Sequence, residues 1–167
     1  NNLDNLSGIF TLKANYNLNK IENSSKINGT IELENFSFQD KFLGDNLKKS
    51  ENGLINFDLN LLDGQLSFFK IDVLSDSLDI DLQIENQLSE FDAEIKTFIS
   101  PYQNFKGNII KKENIVKIDL KGEKLNINKF LKSENKIYDT DFSLMIDKLI
   151  LDEKEIENPI LTGKIRK

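Results

Sequence analysis

Apolar side chains fall on alternate residues along almost the whole of this chain, and a period of two belongs to the β-strand. Successive side chains of a strand point to opposite sides, so the apolar set gathers on one face and Asn, Asp, Glu, Lys and Thr take the other. The runs are Phe10, Leu12, Ala14, Tyr16 and Leu18; Ile27, Ile31 and Leu33; Ile55, Phe57, Leu59 and Leu61; Leu78, Ile80, Leu82 and Ile84; and Phe91, Ala93 and Ile95. The last third continues with Ile118 and Leu120, Leu125 and Ile127, Phe142 and Leu144, Leu149 and Leu151, and Leu161, Gly163 and Ile165. Runs at roughly ten-residue spacing read as consecutive antiparallel strands. The phase slips before Phe36 and Phe38, and again between Phe68 and Phe69, as a bulge or turn would require.

Glycines punctuate the pattern. Gly8, Gly29, Gly53, Gly64 and Gly107 each precede an apolar alternation, where a strand needs turn geometry or close backbone approach. Lys121-Gly122-Glu123 departs from that register and reads as a turn, and Pro101 interrupts a strand. Short helices are expected at Lys41 to Ser50, around Phe42, Leu43 and Leu47, and at Asn128 to Ser133, where Asn128 can cap. The spacing between glycines is too uneven for a propeller or β-helix. The expected fold is therefore all-β: an elongated, curled antiparallel sheet, a groove or trough-like meander, with one or two short helices. Residues 1–167 are read as a single segment of a longer repetitive β-rich protein, because the chain starts without Met and ends on what looks like an interrupted strand.

Composition removes most chemistries. Cysteine, histidine and tryptophan are absent, which leaves no thiol nucleophile, no imidazole base and no common zinc ligand. Arg166 is the sole arginine and the net charge is -6, so nucleic acid is a poor partner. No stretch approaches the roughly 20 apolar residues of a membrane helix.

Asp79-Ile80-Asp81 and Asp139-Thr140-Asp141 place two carboxylates on one face of a strand, a spacing used by some Ca²⁺ sites and acid/base pairs. Neither is followed by a third ligand and a loop glycine, and an alternating strand requires polar residues there anyway. No nucleophile elbow or phosphate loop occurs. The expectation is no enzyme, no catalytic residue, no metal and no cofactor.

The apolar face is what remains. Phe is its notable component, with 12 Phe against 3 Tyr. Almost no amphipathic helix is available to cover the face, so the sheet must fold over on itself or curl into a trough whose lining meets something else.

Three stretches carry a resemblance. Ile118-Asp-Leu-Lys-Gly-Glu-Lys-Leu-Asn-Ile-Asn-Lys-Phe-Leu131 has an apolar strand, Gly, a short polar step and a Phe-Leu pair. Phe142-Ser-Leu-Met-Ile-Asp-Lys-Leu-Ile-Leu-Asp152 is followed by Ile156 to Ile165 with Gly163, and Phe42-Leu-Gly44 precedes Lys48, Lys49 and Gly53. From Phe42 to Lys167 the chain resembles the large AsmA-like envelope proteins of the YhdP and TamB type. Asn126 or Asn128 stands where their polar step has aspartate.

The resemblance implies a parent anchored in the inner membrane of a Gram-negative bacterium, projecting β structure into the periplasm. It further implies a hydrophobic groove that binds phospholipid acyl chains and conducts them between inner and outer membrane, supporting outer-membrane biogenesis. The partners would be phospholipid and adjacent β segments of the same chain, with membrane contact made outside this fragment. The lining expected on this reading is Leu12, Ile31, Leu33, Phe57, Leu59, Ile80, Leu82 and Leu120. The rival is a structural or protein-interaction β-sandwich module of an envelope protein, with the same face closed and no lipid cargo. A carbohydrate-binding sandwich ranks lower, because Tyr16, Tyr102 and Tyr138 stand apart.

Overall fold

The computed structural model describes residues 4–40, 44–87, 90–127, 138–151 and 154–166, and among them there is no helix. The strands are β1 (Asp4–Asn19), β2 (Ser24–Asp40), β3 (Gly44–Leu62), β4 (Gln65–Ser75), β5 (Asp79–Gln87), β6 (Glu90–Ser100), β7 (Gln103–Lys112), β8 (Ile115–Asn126), β9 (Asp139–Leu151), β10 (Lys154–Glu157) and β11 (Ile160–Ile165). They form one eleven-stranded sheet in sequence order from β1 to β10, with β11 beside β9. The sheet does not close: β1 ends it on one side, β10 and β11 on the other. It is a curled trough.

Three expectations need correction. The meander is antiparallel from β1 to β8, but β8 pairs with β9 in parallel, so the sheet is mixed. The helix expected at Lys41 to Ser50 is absent where it can be seen: Gly44 to Ser50 open β3, with Leu47 opposite Phe38 of β2. Residues 41–43, and the helix expected at 128–133, lie outside the described residues. Gly122 is also no turn; it lies inside β8 opposite Phe105 and Ile146.

The phase slips are bulges. β2 skips between Leu33 and Phe36, where Asn35 takes φ 50° and its N–H is accepted by the Asn52 side chain at 3.0 Å. The β3–β4 register shifts between Asn60 and Leu61, opposite Phe68 and Leu66. Pro101 and Tyr102 make the turn between β6 and β7.

Two clusters of fully buried side chains hold the sheet. The larger joins Ile95, Phe105, Leu120, Leu125, Leu144, Ile146 and Leu149 across β6 to β9, with the Phe98 and Phe105 rings stacked at 5.0 Å. The smaller joins Leu33, Phe36 and Leu78. A side chain on a single-layer sheet loses water only to its neighbours on the same face, so burial this deep follows from the sheet curling toward its apolar side.

Candidate functional site

Cross-strand register converts the period-two pattern into apolar rows that run at right angles to the strands. In one row Leu12, Ile31, Ile55, Val73, Ile80, Phe98 and Phe105 face one another in turn from β1 to β7. The next runs Ala14, Gly29, Phe57, Ile71, Leu82, Ile95, Gly107, Leu120, Leu144 and Leu161, from β1 to β11. A third runs Tyr16, Ile27, Leu59, Phe69, Ile84, Ala93, Ile109, Ile118, Phe142 and Gly163. Opposed aliphatic and aromatic pairs of this kind are the unit of sheet stabilisation, each contributing about 0.2–1 kcal/mol.

Between these rows lie polar ones that point the other way. Lys13, Thr30, Asn56, Asp72, Asp81 and Thr97 make one, and Asn15, Asn28, Asp58, Lys70, Gln83 and Glu94 begin another. The ion pairs Lys13–Glu32 at 2.6 Å and Lys26–Asp58 at 2.8 Å sit on this side. Phase therefore separates the two faces chemically along most of the sheet; Leu54, Leu74 and Met145 are exposed apolar exceptions in phase with the polar rows.

All of the expected lining residues stand on the apolar face, in unequal settings. Leu12, Ile31 and Ile80 share the first row, Phe57, Leu82 and Leu120 the second, and Leu59 lies in the third; Leu33 lies beside the first row, opposite Phe10 and Gly53. Leu12 is 62% exposed, whereas Leu120 is 3% exposed. Ile31, Phe57, Leu59, Ile80 and Leu82 are half-buried, and Leu33 is core with Phe36 and Leu78. The apolar face is thus open over β1 and packed shut over β6 to β9, with a graded stretch between. Phe69, Ile71 and Ile84 belong to that graded stretch as well; their alternation with the named residues was the signal for them.

A second feature goes beyond the alternation of Leu78 with Ile80 and Leu82 that the sequence displays. Leu78, in the turn between β4 and β5, folds onto Leu33 and Phe36 and closes one rim of the trough. The turn is held by Glu51, whose Oε2 accepts from Ser75 Oγ at 3.0 Å, Ser77 Oγ at 2.8 Å and Ser77 N at 3.3 Å. Ser75 Oγ in turn accepts from the Leu78 N–H at 3.1 Å. A carboxylate taking three donors is a strong local anchor.

The acidic pairs gather no third ligand: among the described residues no group of three Asp or Glu is placed to hold a metal. Asp141 instead meets Arg166 at 2.6 Å. That hydrogen bond, with the charges of Arg166, Lys164 and Lys117, holds its carboxyl below the ordinary range against an opposing effect of burial. A hollow of about 860 Å³ opens on the polar face, lined by Lys13, Asn28, Thr30, Asp58, Lys70 and Asp72 among others. It is an open hollow whose lining is mostly polar and charged. Tyr102 and Tyr138 lie under Lys124 and Lys111, at 5.8 and 5.3 Å, and form no stacking platform with Tyr16.

The apolar face therefore offers dispersion contacts and exclusion of water. Its rows carry no donor or acceptor to orient a polar ligand, apart from the hydroxyl of Tyr16. Comparison of the chain with protein-family models, with curated proteins and with solved structures returned no match.

Proposed function

We propose that the chain is a hydrophobic-trough segment that takes up phospholipid acyl chains on its apolar face, as part of an AsmA-like envelope protein that conducts lipid between the inner and outer membranes. The observation that carries this reading is the unroofed apolar face over β1 to β5: continuous rows of Leu, Ile, Val and Phe with no second layer over them among the described residues. Each methylene of an acyl chain withdrawn from water there contributes about 0.8 kcal/mol. Hydrocarbon is the cargo such a surface suits, because sugars and peptides require hydrogen-bonding partners that the rows do not supply. On this reading the outward polar rows keep the segment solvated in the periplasm, and neighbouring β segments of the parent carry the rows onward.

The test is to place a photo-crosslinking side chain at Phe57 or Leu59, and at Asp58 on the opposite face as control, and to analyse the captured species by mass spectrometry. Phospholipid adducts from the apolar positions alone are expected, and Leu59→Asp or Ile80→Asp in a folded chain abolishes them. Equal capture from both faces, or no lipid on the purified chain or its crosslinks, overturns the proposal and favours a structural module without cargo.

A further inference from the structure

The two long rims of the trough, where the strands turn, are built in opposite ways. At one, Leu78 folds in from the β4–β5 turn and is buried against Leu33 and Phe36, and the Glu51 carboxylate fixes that turn through Ser75 and Ser77. At the other, the last inward-facing row before the turns is Leu18, Ser25, Leu61 and Leu66, from β1 to β4. None of its members is buried: Leu18 is 49% exposed, and Ser25, Leu61 and Leu66 are half-buried.

The turns beyond that row bond to themselves and to each other. Asn19 Oδ1 accepts the N–H groups of Ile21 and Glu22 at 3.1 and 3.3 Å. Asn23 Nδ2 donates to Asp63 Oδ1 at 2.7 Å, and the Asp63 N–H donates to the Asn23 carbonyl at 3.0 Å. The β1–β2 and β3–β4 turns are thus braced side by side as a polar lip beyond an uncovered apolar row. The hydroxyls of the inward face follow the same asymmetry: Tyr16 in the third row and Ser25 in the last lie toward this open rim, whereas the first two rows carry none.

We propose that a bound phospholipid lies across the trough, along the strands, with its head group and ester carbonyls at the rim of the β1–β2 and β3–β4 turns and its acyl ends toward Leu33, Phe36 and Leu78. This orientation rests on the acyl-chain reading of the face and adds a direction to it. A charged head group has to stay in water, and of the two rims only this one leaves the apolar floor continuous with solvent. Along β1 that floor runs from Leu18 to Phe10, about 27 Å at the rise of a strand. One leaflet of a bilayer core is about 15 Å deep, so a whole tail fits before the closed rim. Tyr16 sits where an amphipathic aromatic belongs, its ring on the apolar floor and its hydroxyl toward the ester carbonyls. Passage along the rows is then sideways, with every head group on the same side.

The test uses the full 167-residue chain and two photoreactive phosphatidylcholines, one with a diazirine beside the ester carbonyl and one with it at the end of the acyl chain. Adducts are located by peptide mass spectrometry. The ester-side probe is expected to label around Tyr16, Leu18 and Leu61, and the chain-end probe around Leu12, Ile31 and Ile55. Tyr16→Phe keeps the ring; it should weaken phosphatidylcholine binding about threefold or more and leave binding of an alkyl probe without an ester unchanged. Reversed labelling, the same sites from both probes, or a Tyr16→Phe chain that binds phosphatidylcholine as well as the wild type overturns the orientation while acyl uptake stands. No labelling from either probe overturns the acyl-chain reading and the orientation with it.

Discussion

Gln103 holds the backbone of Asn126 from both sides: the Asn126 N–H donates to Gln103 Oε1 at 2.9 Å, and Gln103 Nε2 donates to the Asn126 carbonyl at 3.4 Å. Gln103 opens β7 and Asn126 closes β8, so one side chain ties off the rim beside the packed end of the trough. It is 1% exposed, so no water replaces it. Gln103→Leu, similar in volume, leaves a buried donor and acceptor unpaired and should cost about 1–3 kcal/mol. Urea unfolding checks this, with the midpoint falling and the slope unchanged.

Gly107 and Gly64 should respond very differently to a side chain. At Gly107 an added Cβ would run into the carbonyl of Asp119 on β8, and φ there is 150°. At Gly64, in the turn between β3 and β4, φ is 74° and nothing lies within 4 Å. Gly64→Ala should therefore lose only the left-handed backbone preference, about 1 kcal/mol, and Gly64→Asn less. Gly107→Ala must part β7 from β8 and should exceed that several-fold. Differential scanning calorimetry of the variants measures both, and equal losses would contradict the close approach at Gly107.

Much of this was legible in the residues, and the reason is local. In Leu78-Asp-Ile-Asp-Leu82 alternation alone dictates a strand and its two faces, and the expected lining residues share one face because every register along the rows preserves that phase. The parallel β8–β9 pairing was hidden, because a strand looks the same whichever way its neighbour runs. Phe42, Leu43 and Leu47 suggested a helix by their spacing, yet pairing with β2 draws Gly44 to Ser50 into β3. Tertiary pairing overrides weak local pattern. The difference between Leu12 and Leu120 was also out of reach, since burial on a common face depends on where the sheet curls and on which strand is its edge.

Arg166 makes the end of β11 sensitive to acid. Its hydrogen bond lowers the Asp141 carboxyl, so the contact contributes above the ordinary carboxylate range and is lost as pH falls through the lowered value. Arg166→Gln should raise the Asp141 titration, though Lys164 and Lys117 still depress it. Carboxyl NMR titration reads the shift directly. Because the pair is exposed, global stability near neutral pH should change little; a large loss there would show that the pair supports more than the strand end.

The open-to-packed gradient along the apolar face gives the sharpest contrast. Leu12 and Leu120 lie on the same face in adjacent rows, but Leu12 is 62% exposed and Leu120 is 3% exposed. Leu120 touches the cluster of Ile95, Phe105, Leu144 and Ile146, so Leu120→Ala leaves a cavity and should cost about 2–5 kcal/mol. Leu12→Ala removes little buried surface and should change stability by less than about 0.5 kcal/mol. The order reverses for ligand capture. An exposed apolar position loses contact with hydrocarbon when truncated, whereas a residue already packed inside has no free surface to lose. Leu12→Ala should therefore weaken binding of a fluorescent fatty-acyl probe with stability intact, and Leu120→Ala should lower stability while the remaining folded protein binds as before. Chemical denaturation and probe titration on the same two variants read both effects, and a shared loss of stability and binding at both positions would mean that the face is one continuous core.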